Sequence, residues 1–162
     1  MLNRILIKKL DMKSPSLWLA TWFGCGLIKK APGTWGTLGG LPFGLALLVF
    51  MGHPALIGAI VLLFYSGYRA AAKFEIMTGE HDSGAIVVDE VVGIWITLLA
   101  APTSVIGILL AFLFFRFFDI FKPWPISYFD RMPGAMGVMM DDVMAGFYAA
   151  FCLGGLLYAG II

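Results

Sequence analysis

The sequence predicts an all-α fold, a polytopic membrane helix bundle of about four to five membrane segments with a charged site at one face. Hydrophobic residues make up 60% of the 162-residue chain and charged residues only 13%, whereas soluble domains carry about 25% charged residues. The apolar runs are continuous, while the strands of a membrane barrel alternate between apolar and polar residues. A soluble domain of this length has too little interior for so much apolar surface, so we expect much of the chain to face lipid.

The chain divides into a short N-terminal segment and a single membrane-embedded domain. Residues 1–16 carry four basic residues and no compact apolar core with a small-residue cleavage site, so we interpret them as a cytosolic segment that is retained. Residues 17–162 contain five apolar segments, at 37–51, 55–72, 86–101, 104–118 and 143–162. The last is long enough to cross a hydrocarbon core of about 30 Å, whereas the shorter ones need tilt or local thinning of the bilayer.

The charged residues predict the topology of these segments. The breaks at Gly52-His53-Pro54 and at Pro102-Thr103 contain no Lys, Arg, Asp or Glu, whereas charges surround the other two links. If successive segments run in opposite directions, every charged side chain lies on one side of the membrane. Basic residues accumulate on the cytoplasmic side of membrane proteins, and we therefore expect the charged face to be cytoplasmic.

Composition argues against several classes of protein. The net charge is +1 and no basic stripe is present, which gives no support to a nucleic-acid partner. The two cysteines predict no disulfide framework, and His81 alone is too few for a zinc site. The chain also lacks the cysteine-to-arginine spacing of cysteine phosphatases and the Asp-x-Asp motif of aspartyl-phosphate phosphatases.

A glycine-rich stretch from Pro32 to Gly40 leads into the first apolar segment. Its successive backbone N–H groups could cradle a phosphate at a helix N-terminus, with Thr34 and Thr37 as candidate substrate-binding residues. The alternative is a plain turn into the membrane with Thr37 as the N-cap of the helix. Because glycine clusters are common at such positions, the sequence favours the turn.

Two pairs of adjacent carboxylates stand at the mouths of apolar segments. Asp89 and Glu90 lead straight into the third segment, and Asp141 and Asp142 open the last. Adjacent carboxylates in such places lose hydration and repel each other, so we expect them to need cations. The alternative is that they complement the positive end of the helix dipole. In the first pair, the dipole explains one acid well and two acids less well. For the second pair, the dipole and the cation explanations are equally good.

A third charged unit comprises Arg116, Asp119 and Lys122, which are three residues apart and therefore line one face near the end of the fourth segment. An aspartate at a helix C-terminus opposes the dipole, so capping does not explain Asp119. The alternative is a local ion pair with Arg116 or Lys122. Ionisable residues inside membranes are functional candidates by default, and we favour a functional role here.

Together the three units predict metal-assisted phosphoryl hydrolysis. Hard oxygen ligands suit Mg²⁺, which binds through a few carboxylates and substrate phosphate oxygens, and a bound cation makes an acidic site attractive to phosphate. The simplest nucleophile is then a water activated by the metal. The alternative function is a cation or proton transporter. Transport predicts an ionisable path toward the far side, and the apolar segments carry none there.

At these residues the chain resembles the phosphatidylglycerophosphatase A family of bacterial inner-membrane phosphatases. The matching stretches occur in family order and cover most of the chain from about residue 17; they are PGTWGT at 32–37, HDSGAIVVDEVVG at 81–93, FRFFDIFKPWPI at 115–126 and GAMGVMMDDVMAG at 134–146. Thr37 stands where many relatives are expected to have serine. The resemblance implies a multi-pass protein of the bacterial inner membrane with its active site facing the cytoplasm. It also implies Mg²⁺-dependent conversion of phosphatidylglycerophosphate to phosphatidylglycerol and inorganic phosphate.

Within that resemblance, charge and placement suggest a role for each candidate residue. The predicted metal ligands are Asp89, Glu90, Asp141 and Asp142, with Asp119 as a further candidate; Arg116 and Lys122 are predicted to hold the terminal phosphate, and His81 or Asp82 to transfer protons. Trp124 lies in a Pro-x-Pro break. It is either a seat for the glycerol head group or part of an interfacial aromatic belt.

Overall fold

A computed structural model of the protein describes residues 13–79 and 83–162. These residues form helices and no β-strand, which confirms the all-α prediction. The helices are α1 (Pro15–Ala20), a 3₁₀ turn (Cys25–Leu27), α2 (Pro32–Thr78), α3 (Val88–Leu98), α4 (Val105–Phe121), α5 (Ile126–Asp130) and α6 (Ala135–Tyr158).

Helix α2 consists of two arms, residues 32–51 and 53–78, that meet at Gly52. The backbone of Gly52 has φ 80° and ψ 179°, which is not helical and which favours glycine. The first arm begins at Pro32, with Ala31 before it in a left-handed conformation. Thr37 is therefore inside the helix, where its hydroxyl donates to the Gly33 carbonyl at 2.9 Å. The interpretation of Thr37 as the N-cap was wrong.

The two arms pack on α3 in opposite directions. Along the first arm, Gly36, Gly40 and Gly44 lie in turn against Val87, Val91 and Trp95; each Cβ added there would overlap its neighbour. The Trp95 indole N–H also donates to the Gly40 carbonyl at 2.9 Å. The second arm runs the other way, since Gly67 packs on Val88 while Ile57 and Leu99 share a groove. Helix α2 is thus a hairpin that turns at Gly52.

Helices α4 and α6 also pack on α3, and they run in opposite directions along it. On α4, Phe115 packs on Gly93, and Arg116, one residue later, lies toward Glu90, nearer the start of α3. On α6, Gly146 packs on Gly93, and its carbonyl accepts a hydrogen bond from the Thr97 hydroxyl at 3.3 Å. Hence α4 runs antiparallel to α3 and α6 runs parallel to it. The charged ends of all five segments meet at one end of the bundle.

Helix α3 is the core of the bundle and is buried on every side except at Glu90. Its 11 residues extend only about 16 Å, so it is shorter than both the 86–101 segment expected from the sequence and a hydrocarbon core of about 30 Å. Helices α3 and α6 meet closely at Gly93 and Gly146, because two glycines let the backbones approach.

We expect Gly146→Ala to lower the thermal stability of the protein by several degrees. The new Cβ would lie 2.5 Å from the Gly93 carbonyl oxygen, and overpacking of this kind typically costs about 1–3 kcal/mol. Gly154→Ala is the matched control, because the same helix offers open space there. Thermal unfolding of both variants in detergent measures the difference, and equal midpoints would contradict the predicted backbone contact.

The outer surface of the bundle is apolar. On α2, Phe50 is 84% exposed and Leu62 is 72% exposed, and α4 carries a similar exposed row that includes Leu109, Leu113 and Phe117. Contiguous exposed apolar surface of this extent marks contact with a membrane or a partner. By length and composition, α2 and α6 can each cross a membrane. A membrane association of the helix bundle follows from these two features.

Candidate metal and phosphate site

Three carboxylates converge at the charged end of the bundle. One oxygen from each of Asp89, Glu90 and Asp142 lies within 4.8 Å of the other two. Asp89 is 7% exposed and Asp142 is 3% exposed, and the Glu90 side chain is 13% exposed. Carboxylates this close and this poorly hydrated repel one another, so the arrangement favours a bound cation.

The helices that carry the carboxylates decide between the alternatives left open by the sequence. Asp89 and Glu90 lie in the first turn of α3, where the helix dipole favours negative charge. Helix α6, however, begins at Ala135, so Asp141 and Asp142 lie beyond its first turn, where the dipole effect has faded. The capping explanation for this second pair was wrong, and Asp142 instead faces the N-terminal turn of α3.

Arg116 supplies positive charge beside the three carboxylates. Its Nη1 lies 2.5 Å from Asp119 Oδ2 and 4.0 Å from Glu90 Oε1, so the local ion pair considered for Asp119 is present. Nη1 and Asp119 do not meet in hydrogen-bond geometry, and both Nη1 and Glu90 Oε2 are buried without a hydrogen-bond partner. Asp119 also faces Asp142. Glu90 Oε2, which has neither a hydrogen bond nor an ion pair, points to a bound ligand at this position.

Lys122 departs from the helix face predicted for it. Helix α4 ends at Phe121, and Lys122 follows in a left-handed conformation that turns its side chain toward two acids. Its Nζ donates to Asp141 Oδ2 at 2.7 Å and to Asp130. Burial lowers the pKa of Lys122, but the two hydrogen bonds outweigh burial and the net pKa lies above its ordinary value. Lys122 is therefore a full cation at neutral pH.

Asp141 is adjacent to the three grouped carboxylates without being one of them. Its Oδ2 accepts from Lys122, and its Oδ1 accepts the backbone N–H of Asp142 at 2.9 Å. These two hydrogen bonds hold the Asp141 carboxylate between the Lys122 ammonium group and the backbone N–H of Asp142.

The first turn of α2 also reaches the site, although the sequence favoured a plain turn for this glycine-rich stretch over a phosphate cradle. A Cβ on Gly33 would overlap the Glu90 carboxylate and lie 3.1 Å from Arg116 Nη1. The first N–H groups of a helix have no partner within the helix, so the glycine-rich stretch brings free donors to the same place. The conspicuous Pro-Gly-Thr sequence was the available signal. Asp130, joined to Lys122 across the α5 turn, had no comparable signal.

The remaining predicted site residues are Thr34, Thr37, Trp124, His81 and Asp82. Thr34 is half-buried in the first turn of α2, and Thr37 is buried with its hydroxyl bound to Gly33. The side chain of Trp124 is 80% exposed, which fits either role considered for it. His81 and Asp82 lie outside the described residues.

Comparison of the sequence with known proteins identifies a family and several relatives. The model of the family "Phosphatidylglycerophosphatase A" matches residues 18–157. Proteins of that name from Haemophilus influenzae and Escherichia coli K12 are 44% and 40% identical to the chain, over 94% and 93% of it and over 94% and 86% of their own lengths. A Bacteroides thetaiotaomicron protein with the provisional name phosphatidylinositol-3-phosphatase is 42% identical over 85% of this chain and 92% of its own length.

No solved structure gives a significant match to the chain. The family match nevertheless spans the whole bundle, including all the stretches on which the resemblance rested, and the two relatives of the same name cover the chain almost completely. The chain belongs to the phosphatidylglycerophosphatase A family.

Proposed function

We propose that the protein hydrolyses phosphatidylglycerophosphate to phosphatidylglycerol and inorganic phosphate in a reaction that requires Mg²⁺. The observation that carries this proposal is the convergence of Asp89, Glu90 and Asp142 beside Arg116. The names of two full-length relatives support the substrate. The transporter alternative receives no support, because the Asp, Glu, Lys and Arg side chains among the described residues gather at one end of the bundle.

The donor set fits a divalent cation. Among the described residues, the carboxylates of Asp89, Glu90, Asp119, Asp141 and Asp142 outnumber the two cations that pair with them, Arg116 and Lys122. Buried charge without a counter-ion is costly, and one buried oxygen, Glu90 Oε2, has no hydrogen-bond partner. Carboxylate oxygens of this kind are hard ligands of the type that Mg²⁺ prefers.

In the proposed mechanism, Asp89, Glu90 and Asp142 would hold Mg²⁺, and Asp141 and Asp119 are further candidate ligands. When bound, the ion supplies positive charge that offsets the phosphate and activates water as the nucleophile. Water attacks phosphorus, and the bond from phosphorus to the glycerol oxygen breaks. The leaving glycerol oxygen takes up the proton that the attacking water gives up, and His81 or Asp82 is the proposed carrier of this proton.

The two basic residues have distinct tasks in this proposal. Arg116 Nη1 forms an ion pair with Asp119 but no hydrogen bond, and the guanidinium group is a planar fork suited to two phosphate oxygens. Lys122 has three N–H donors, of which Asp130 and Asp141 take two, so one remains for the phosphate. The first turn of α2, with Gly33 and Thr34, adds backbone donors on the same side.

We further propose that residues 17–162 form one membrane domain whose five segments, the two arms of α2 and helices α3, α4 and α6, alternate in direction. The charged end faces the cytoplasm of the bacterial inner membrane, in line with the positive-inside rule. The short α3 does not face lipid, because the other helices enclose it. Residues 1–16 precede this domain on the cytosolic side.

Phosphate release from a panel of lipids tests the substrate assignment. Purified protein in mixed micelles with Mg²⁺ is given phosphatidylglycerophosphate, phosphatidic acid or phosphatidylinositol 3-phosphate. We expect the largest kcat/KM with phosphatidylglycerophosphate. A higher kcat/KM with the inositol lipid would overturn the assignment in favour of the function that the Bacteroides relative's name carries.

Gly33→Ala is expected to lower kcat/KM by about 10²-fold with little loss of stability. The added methyl displaces the carboxylate of Glu90, a flexible side chain that can yield without unfolding the helix, and misplacing a reacting group by about 1 Å can cost that much. Gly58→Ala, in open space on the second arm, is the control. Full activity in Gly33→Ala would show that the position of Glu90 does not matter.

A further inference from the structure

An apolar groove on the side of the bundle has one end near the carboxylate cluster. It has a volume of about 500 Å³ and lies between the second arm of α2, helix α3 and helix α6. Its walls include Ile60 and Phe64 on α2, Val92 and Ile96 on α3, and Val143 and Phe147 on α6. All of its lining side chains are apolar. We call it the lateral groove.

One end of the lateral groove lies about one helical turn from residues of the proposed metal site. On α3, Asp89, Val92 and Ile96 are three and four residues apart and therefore share one face, so the carboxylate of Asp89 terminates the apolar row. On α6, Met140 and Val143 line the groove and flank the Asp141–Asp142 pair directly in sequence. One end of the groove is thus close to the site proposed for the charged phosphate.

The groove is open along its outer side. Val61 and Phe147 at its rim are 62% and 54% exposed, whereas Val92 and Ile96 at its floor are buried. From Val92 to Leu99 the floor extends about 10 Å at 1.5 Å per residue. A hydrocarbon chain can therefore enter sideways from the membrane, without crossing a polar barrier, and lie along α3.

Two other cavities lack this combination of features. The cavity at Phe43, Leu47 and Trp95 is apolar but lies toward the opposite end of α3 from the carboxylates. The cavity around Arg131 and Gly134 borders Asp141 but is lined by charged residues. Of these three cavities, the lateral groove combines a wholly apolar lining with an end near the acidic site.

We propose that the lateral groove holds one acyl chain of the lipid phosphate substrate and thereby selects membrane lipids over water-soluble phosphate monoesters. This inference rests on the proposed function. The chain moves from one apolar phase to another, so little hydrophobic free energy is gained. The groove instead fixes the orientation of the lipid, which places its phosphate at the metal site, and orientation acts on the rate of reaction.

The test compares two tryptophan variants on two substrates. Ile60→Trp fills the groove, and Leu62→Trp, on the exposed face of the same arm and not part of the groove, is the control. Each variant receives dioleoyl phosphatidylglycerophosphate and its deacylated, water-soluble head group. We expect the ratio of kcat/KM for the diacyl substrate to kcat/KM for the head group to fall at least about tenfold in Ile60→Trp and to stay unchanged in Leu62→Trp. Equal ratios in both variants would overturn the proposal.

A second measurement does not require hydrolysis. The wild-type protein is photolabelled with phosphatidylglycerol that carries a diazirine in one acyl chain, and the adducts are mapped by mass spectrometry. If the groove walls are labelled, and unlabelled phosphatidylglycerophosphate suppresses this labelling, the result supports acyl-chain binding in the groove. It does so even if the protein released no phosphate and the proposed function failed. Labelling spread evenly over the exposed apolar surface, or not suppressed by that lipid, would show that the groove holds bulk lipid only. This experiment also decides the case in which Ile60→Trp does not fold.

Discussion

Asp142→Asn is expected to abolish Mg²⁺-dependent phosphate release, with a loss of at least about 10³-fold in kcat, while the bundle stays folded. The amide keeps the shape of the side chain but removes one of three grouped oxygen ligands. A metal ion contributes several kcal/mol of charge stabilisation in the transition state, and each 1.36 kcal/mol is a factor of ten in rate. Phosphate release by purified protein measures the effect.

Asp130→Asn is the matched control for Asp142→Asn. Asp130 is exposed at the rim and touches the site only through Lys122, so we expect a loss of less than tenfold. Stability gives a second readout. In chelator, Asp142→Asn should unfold at a higher temperature than the wild type, because one buried repulsive charge is gone. Added Mg²⁺ should stabilise the wild type and not the variant. A fully active Asp142→Asn protein would contradict the proposed ligand set.

Arg116→Lys is expected to lower kcat/KM by about 10²-fold even though it preserves the charge. Lysine carries a single ammonium group and cannot reproduce the planar fork that binds two phosphate oxygens. It also loses the geometry by which Arg116 lies between Asp119 and Glu90. Steady-state kinetics with phosphatidylglycerophosphate measure the loss, which should include a raised KM.

Arg69→Lys provides the control for Arg116→Lys. Arg69 is exposed on the second arm of α2 and contacts Tyr65 rather than the carboxylates. We expect its kinetics to match the wild type. If Arg116→Lys also matched the wild type, Arg116 would serve only to neutralise Asp119, and the phosphate would be held elsewhere.

The direction of each segment could be predicted from the sequence because charge is absent from two links and concentrated at the other two. Helix boundaries were less accurate. Helix α2 begins at Pro32 rather than at residue 37, although proline is common at the first position of a helix. Helix α6 begins at Ala135 rather than at residue 143. The apolar run in the sequence starts only after Asp141 and Asp142, but the helix continues through both acids because neighbouring helices supply groups that interact with them.

The members of the site were easier to predict than their arrangement. Asp89, Glu90 and Asp142 were identified because acids beside apolar segments are costly. The position of Lys122 depends on a left-handed residue at the end of α4, which the three-residue spacing does not reveal. The approach of Gly33 to Glu90 depends on how α2 packs against α3. Contacts between separate helices are tertiary features, and local periodicity carries no information about them.

Metal-dependent turnover is the most direct test of the account as a whole. Purified protein in detergent is stripped with a chelator, given phosphatidylglycerophosphate, and titrated with Mg²⁺ while inorganic phosphate is measured. The account predicts no release in chelator and a saturable recovery with Mg²⁺ that Asp142→Asn lacks. Undiminished release in chelator, by the wild type and the variant alike, would contradict a metal-assisted reaction at these carboxylates.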